Sequence, residues 1–133
     1  ASTEDVHLAA LRVLVEAMVS LRLLEGDVDQ IIEEKKYRPY YPHQTSHWLG
    51  LDVHDVGNYA IRGEARLLEP GMVLTVEPGL YIPEDAEGAP EALRGIGIRI
   101  EDDVAVTEAG REILTAAIPA AADRIEALPG RTG

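Results

Sequence analysis

The apolar positions change period once along the chain. Between residues 4 and 24, Val6, Leu11, Leu14, Val15, Met18, Val19 and Leu21 recur at a spacing near 3.6, which predicts one long amphipathic helix. Gly26 suits its C-terminal stop. Asp27 reads as the start of a second helix, with Gln30 at capping-box spacing, Lys35 and Lys36 in the last turn and Pro39 as the end. From Tyr37 onward, aromatic and β-branched residues alternate with polar ones between Gly and Pro. Strands are expected over 51–56, 71–77, 95–106 and 111–115. In the first of these, Asp52 and His54 would share one face and Asp55 would take the other. Glu69-Pro70-Gly71 is a turn, residues 84–90 form a polar loop, and Thr107-Glu108-Ala109-Gly110 joins the last two strands as a hairpin. Residues 120–128 read as a short final helix and 129–133 as a loose tail. Helices first and antiparallel strands after make an α+β domain: 1–36 helical, 37–116 mostly strand, 117–133 short helix and tail, with helices on one face of the sheet.

The 133 residues suffice for one domain with a core. No apolar run approaches the ~20 residues of a membrane helix, and the acidic N-terminus does not read as a targeting signal. Twenty-four acidic against twelve basic residues leave a net charge of −12, a surface that disfavours nucleic acid and anionic lipid. The absence of cysteine excludes disulfides and thiolate ligands and fits a cytoplasmic setting. The chain opens directly into a helix without Met, as a piece of a longer protein would.

Chemistry concentrates in residues 41–57, which hold His43, His47 and His54, three of the four histidines. Glu77 ends the apolar run Val73-Leu74-Thr75-Val76, and Glu101 follows Ile98-Arg99-Ile100. Singly, each has an ordinary reading. His47 would be a buried hydrogen-bonded histidine, Glu77 a solvent-facing strand end and Glu101 the partner of Arg99 on one face. His43 and His54 would be polar core groups, Tyr59 and Tyr81 buried tyrosines, Trp48 core, and His7 a helix-face histidine. Jointly, one histidine and two carboxylates at strand ends suit a hard or borderline divalent cation. His43 and His54 beside it would serve proton transfer or substrate hydrogen bonding. A binuclear site needs further carboxylates; Asp52, Asp55, Asp102 and Asp103 qualify by type, and spacing singles out none.

The segments His43-x-x-x-His47-Trp48-Leu49-Gly50-Leu51-Asp52-Val53-His54-Asp55-Val56-Gly57, Leu68 to Tyr81 and Arg94 to Asp103 resemble the pita-bread metallopeptidase family, in its aminopeptidase P (Xaa-Pro aminopeptidase) branch. The likeness runs from the first helix to Leu128 and covers the C-terminal half of that family's catalytic domain. It implies His47 and Glu77 as metal ligands and Glu101 as a bridge between two divalent metal ions, usually Mn2+, with Zn2+, Co2+ or Fe2+ as alternatives. It implies Glu77 as general base or acid, His43 and His54 as partners of the scissile peptide, and Tyr59 and Arg99, with Tyr81, as walls of the proline pocket. The substrate implied is a proline-containing peptide, cut between its N-terminal residue and the proline.

Two departures qualify this. Gln44-Thr45 stands where the family usually has Gly-Leu. The family's two ligand aspartates belong to an N-terminal half that is absent here, so the isolated chain is expected to be inactive. Half of a two-part core leaves an apolar sheet face uncovered, so pairing with the other half or homo-oligomerisation is expected. Rival readings are a prolidase-like Xaa-Pro dipeptidase, a creatinase-like hydrolase and a non-catalytic interaction module on a peptidase scaffold.

Overall fold

The structure, a computed structural model, describes residues 1–130. Helix α1 spans Thr3–Ser20. A capping box starts it: Asp5 N–H donates to Ser2 Oγ at 3.2 Å, and Ser2 N–H donates to the Asp5 carboxylate at 2.7 Å. The helix stops earlier than its apolar period predicts. Arg22 takes the left-handed conformation at φ 59°, and the N–H groups of Leu23 and Leu24 fold back onto the Met18 carbonyl. The closure is thus made at an arginine, ahead of Gly26.

Helix α2 spans Val28–Glu33, with the Asp27 carboxylate accepting the N–H groups of Asp29 and Gln30. Only half of the expected capping box forms, because the Gln30 amide bonds Glu34 instead. Lys35 lies beyond the helix at φ 56°. The turn that follows lays Tyr37, Tyr40 and Tyr41 against Leu11, Val15 and Met18 of α1 and Ile31 of α2. Ile82 and Ala89 complete this core.

The strands are β1 (Ala60–Ile61), β2 (Glu64–Ala65), β3 (Val73–Val76), β4 (Gly79–Tyr81), β5 (Gly97–Arg99), β6 (Asp102–Thr107) and β7 (Gly110–Ile113). All pairings are antiparallel: β1 with β2, β3 with β6, β6 with β7 and β4 with β5. Residues 45–49 run along the other edge of β3. Leu49 N–H donates to Val73 O at 3.1 Å, Thr75 N–H to His47 O at 3.0 Å and Glu77 N–H to Thr45 O at 2.7 Å. Helix α3, Ala122–Glu126, is shorter than expected. Of the predicted tail, residues 131–133 lie outside the described residues.

The expected strand 95–106 is interrupted between Arg99 and Asp102, and the break faces the end of the expected strand 71–77, beyond which the unexpected β4 begins. Val76 is opposite Asp102 and Gly79 is opposite Arg99. The two residues between them on each side keep step, so Glu77 falls opposite Glu101 and Pro78 opposite Ile100. Ile100 N–H donates to Pro78 O at 3.3 Å. The reciprocal bond cannot form because proline has no N–H, and the ladder breaks there. The neighbouring Glu77–Glu101 pair is therefore of the non-hydrogen-bonded kind, in which facing side chains stand closest.

The expected strand 51–56 does not form. Asp55 N–H donates to Trp48 O at 3.1 Å, Gly50 N–H to Asp52 O at 3.2 Å, and the Asp55 carboxylate accepts the N–H groups of Leu51 and Val56. The alternation is real, but no neighbouring strand pairs with it among the described residues, and Leu51, Val53 and Val56 are exposed. Asp52 and His54 therefore do not share a strand face. The β1–β2 hairpin was not expected. Its turn, Arg62 (φ 54°) and Gly63 (φ 86°), has the two positive φ values of a type I′ turn, which usually advertises itself with Asn or Asp before Gly.

Candidate metal centre

Strand alternation sorts the sheet into two faces. His47, Thr75, Glu77, Glu101 and Asp103 occupy alternate positions on one side, while Trp48, Leu74, Val76, Val104 and Val106 occupy the other. On the first side, ligand atoms of His47, Glu77 and Glu101 lie within 4.8 Å of one another. His47 Nε2 is 3.2 Å from Glu77 Oε1. Glu77 is buried and Glu101 exposed, so the cluster opens on one flank.

Neighbouring groups hold the ligands in place. His47 N–H donates to Thr75 Oγ1 at 3.1 Å, and that hydroxyl donates to Glu77 Oε1, also at 3.1 Å. His47 Nδ1 lies 3.0 Å from the Trp48 carbonyl. A carbonyl only accepts, so Nδ1 carries the proton. In neutral His47, Nε2 then presents a lone pair to a carboxylate oxygen. Two acceptors at 3.2 Å repel unless a cation or proton lies between them. The donor set, one imidazole nitrogen with a ring N–H anchored on a carbonyl and two carboxylates, fits a divalent metal.

A second set of side chains borders this cluster. Tyr81 Oη lies 2.9 Å from His43 Nε2 and accepts Arg99 Nε–H at 2.7 Å. Arg99 also reaches Glu77 Oε2 at 3.4 Å. The hydrogen bond to Tyr81 raises the Arg99 pKa, with Glu77 and Glu101 adding to it. His43 Nδ1 lies 2.8 Å from Gln44 O, so its Nε2 is the acceptor and is engaged with Tyr81. The His54 ring packs edge-on against His47, with centroids 4.4 Å apart.

Tyr59 stands apart from this group. Its ring stacks on Trp48 at 5.4 Å and its hydroxyl accepts Trp48 N–H at 3.2 Å. It lines, with His47, a cleft of about 670 Å³ against the start of α1. The carboxylates of Asp52, Asp55, Asp102 and Asp103 do not join the three-ligand group among the described residues; Asp55 caps backbone N–H groups and Asp102 accepts the Thr115 hydroxyl at 2.6 Å. Sequence reasoning missed Thr75, whose only signal is a hydroxyl inside an apolar strand, and it missed Thr45 and Tyr41 altogether.

Known proteins resemble this chain in sequence and in fold. Over 118 residues the chain is 58% identical to an Xaa-Pro aminopeptidase of Escherichia coli, covering 89% of this chain and 26% of that protein. It is 40% identical over 131 residues to the mouse Xaa-Pro aminopeptidase 3, covering 98% and 25%. Among solved structures, the aminopeptidase PepP of Pseudomonas aeruginosa superposes with a TM-score of 0.88 at 53% identity, over 91% of this chain and 27% of that one. Aminopeptidase P from E. coli, solved with the inhibitor Pro-Leu, gives 0.82 at 49% identity, over 92% and 32%. The chain thus spans about a quarter of the length of the curated relatives it matches, and its mixed helix and antiparallel sheet is a part of the pita-bread fold. Residues 1–108, the stretch that holds every one of these candidate ligands, match the family model described as metallopeptidase family M24, and the chain belongs to that family.

Proposed function

We propose that this chain supplies one wall of the active site of an Xaa-Pro aminopeptidase, with His47, Glu77 and Glu101 as its share of the ligands to two divalent ions. Mn2+ is the favoured ion, with Zn2+, Co2+ or Fe2+ also compatible with nitrogen and oxygen donors. The observation that carries this reading is the convergence of His47, Glu77 and Glu101, whose ligand atoms lie within 4.8 Å of one another, with His47 Nε2 3.2 Å from Glu77 Oε1. The likeness to Xaa-Pro aminopeptidases from bacteria to mammals supports the substrate class. A zinc-substituted E. coli aminopeptidase P among the similar structures supports a divalent ion.

When bound, the metal pair supplies Lewis acidity and an activated water. The protein's own groups do the rest. Glu77 is placed to take and return a proton beside that water. His54, next to His47, and His43 are placed to hydrogen-bond the scissile peptide, which requires His43 Nε2 to exchange its Tyr81 partner for substrate. Arg99 and Tyr81 form the neighbouring wall, and Tyr59 a more distant one. The remaining ligands would come from an upstream half of the catalytic domain. A cytoplasmic location and self-association of the isolated chain accompany this reading.

The test is to titrate Mn2+ into the chain alone and into the complete protein, assaying peptides with proline in second place. Weak binding without cleavage by the chain, and tight binding with cleavage by the complete protein, is the expected outcome. Two tightly bound ions and cleavage by the chain alone would overturn the half-site reading. Cleavage of dipeptides only would assign the protein to the dipeptidase branch, and no cleavage by the complete protein would sink the enzyme reading.

A further inference from the structure

His7 lies on α1, remote in sequence from every candidate ligand, yet it is tied directly to the segment that carries His47. Its Nδ1 is 2.9 Å from Thr45 Oγ1 and accepts Thr45 N–H at 3.3 Å. Thr45 Oγ1 is 2.6 Å from Tyr41 Oη. His7 stacks on Tyr41 at 5.8 Å, and Tyr41 meets His43 edge-on at 4.9 Å. Thr45 and Tyr41 are both 0% exposed. The remaining polar atom of Thr45, its carbonyl, accepts the Glu77 N–H at 2.7 Å. Every hydrogen-bonding group of this buried residue is therefore used, and its partners are α1 on one side and a candidate ligand on the other.

The directions of these bonds are fixed. A backbone N–H can only donate, so His7 Nδ1 is an acceptor and the ring proton sits on Nε2. The Thr45 hydroxyl then donates to Nδ1 and has lone pairs free to accept from Tyr41. The relay runs one way: Tyr41 O–H to Thr45 Oγ1, Thr45 O–H to His7 Nδ1.

The geometry points to a positioning role: His7, Thr45 and Tyr41 form a buried clamp through which α1 fixes residues 43–47, and with them His43, His47 and the backbone of Glu77, at the metal centre. The clamp rests on the metallopeptidase reading. It assigns to Thr45 a second support for the candidate ligands, independent of Thr75. None of the three residues touches the reacting atoms.

Three measurements test it. In the complete protein, Thr45→Val keeps the shape and removes the hydroxyl, whereas Thr45→Ser keeps the hydroxyl and removes a methyl group. The clamp predicts that Thr45→Val weakens Mn2+ binding about tenfold, in the range of other supporting-group substitutions, while Thr45→Ser stays near the parent. If Val binds like the parent, or Ser is as weak as Val, Thr45 is packing alone and the clamp is wrong. Should Thr45→Val fail to fold, Tyr41→Phe removes only the outer hydroxyl. A smaller loss of affinity in the same direction supports the clamp, and parental affinity overturns it. Nitrogen NMR of the unsubstituted protein without metal reads the His7 ring directly: a protonated Nε2 and bare Nδ1 are expected, and the opposite tautomer overturns the relay. If the unsubstituted complete protein binds no Mn2+, the metallopeptidase reading fails, and the clamp's role with it, whatever the tautomer.

Discussion

Thr75 does at one atom what the candidate ligands need done twice. Its Oγ1 accepts the His47 N–H and donates to Glu77 Oε1, and the residue is 1% exposed. Thr75→Val is nearly isosteric but leaves a buried N–H without a partner, at about 1–3 kcal/mol. It should also weaken Mn2+ binding by about 10–100-fold. Chemical denaturation and calorimetric titration check the two effects separately. His7 gives a pH prediction. Burial, with the positive charge that His43 would add, lowers its pKa below the ordinary 6.5, and Glu4 opposes this weakly. Between the lowered value and about 6.5 the unfolded chain holds more protons than the folded one, so stability falls as pH drops through that window. His7→Gln lacks this titration, and its midpoint of urea unfolding should be flatter between neutral pH and pH 5 than the parent's; parallel profiles would refute the assignment. His47, Glu77 and Glu101 could be singled out as candidates from residue type and position in strand-end motifs. Thr75, Thr45 and His7 could not, because a threonine in a strand and a histidine on a helix face advertise nothing until the strands are laid side by side.

Helix ends show where periodicity misleads. The helix expected to residue 24 ends at Ser20, and the backbone turns left-handed at Arg22. A glycine residue avoids the ~1–2 kcal/mol that a side chain adds in the left-handed region. Arg22→Gly and Lys35→Gly are therefore expected to be neutral or to raise the melting temperature, whereas glycine at Glu16, within α1, should lower it by the equivalent of about 1 kcal/mol. Asp27 caps a helix of only six residues, and Asp27→Ala should cost about 1 kcal/mol in thermal unfolding. The strands were legible in type but not in extent. Residues 95–106 read as one unbroken run because alternation does not register the missing N–H of Pro78 on the facing strand. The run yields at Ile100, the partner of Pro78, and β4 beyond Pro78 was not expected. The 51–56 segment failed for the opposite reason: a strand pattern is a statement about a neighbour, and the described residues contain none for it.

At the scale of the whole molecule, one flank of the sheet is open. Leu74, Val76, Val104, Val106 and Ile113 line an apolar groove of about 620 Å³ closed at one end by Ala1 and Val6, and Leu51 and Val56 project from the irregular loop. Surfaces of this kind associate, while the net charge of −12 opposes it. Sedimentation velocity on the isolated chain should therefore show association that increases with salt, as repulsion is screened, and that disappears in the complete protein. A chain that stays monomeric at high salt would count against an uncovered interface. Nothing in the hydropathy of the sequence separates an unpaired apolar face from a buried one.

The Glu77–Glu101 pair has a consequence for how the sheet is reached as well as for what it binds. Sliding β6 against β3 by one position would carry Glu101 to the opposite side of the ladder and leave Glu77 without its neighbour. A misaligned hairpin therefore has no pair of carboxylates to offer a cation. Any ion that binds only the aligned form stabilises it by mass action, so metal present during folding would act as a proofreader, favouring the one alignment in which the two carboxylates stand together.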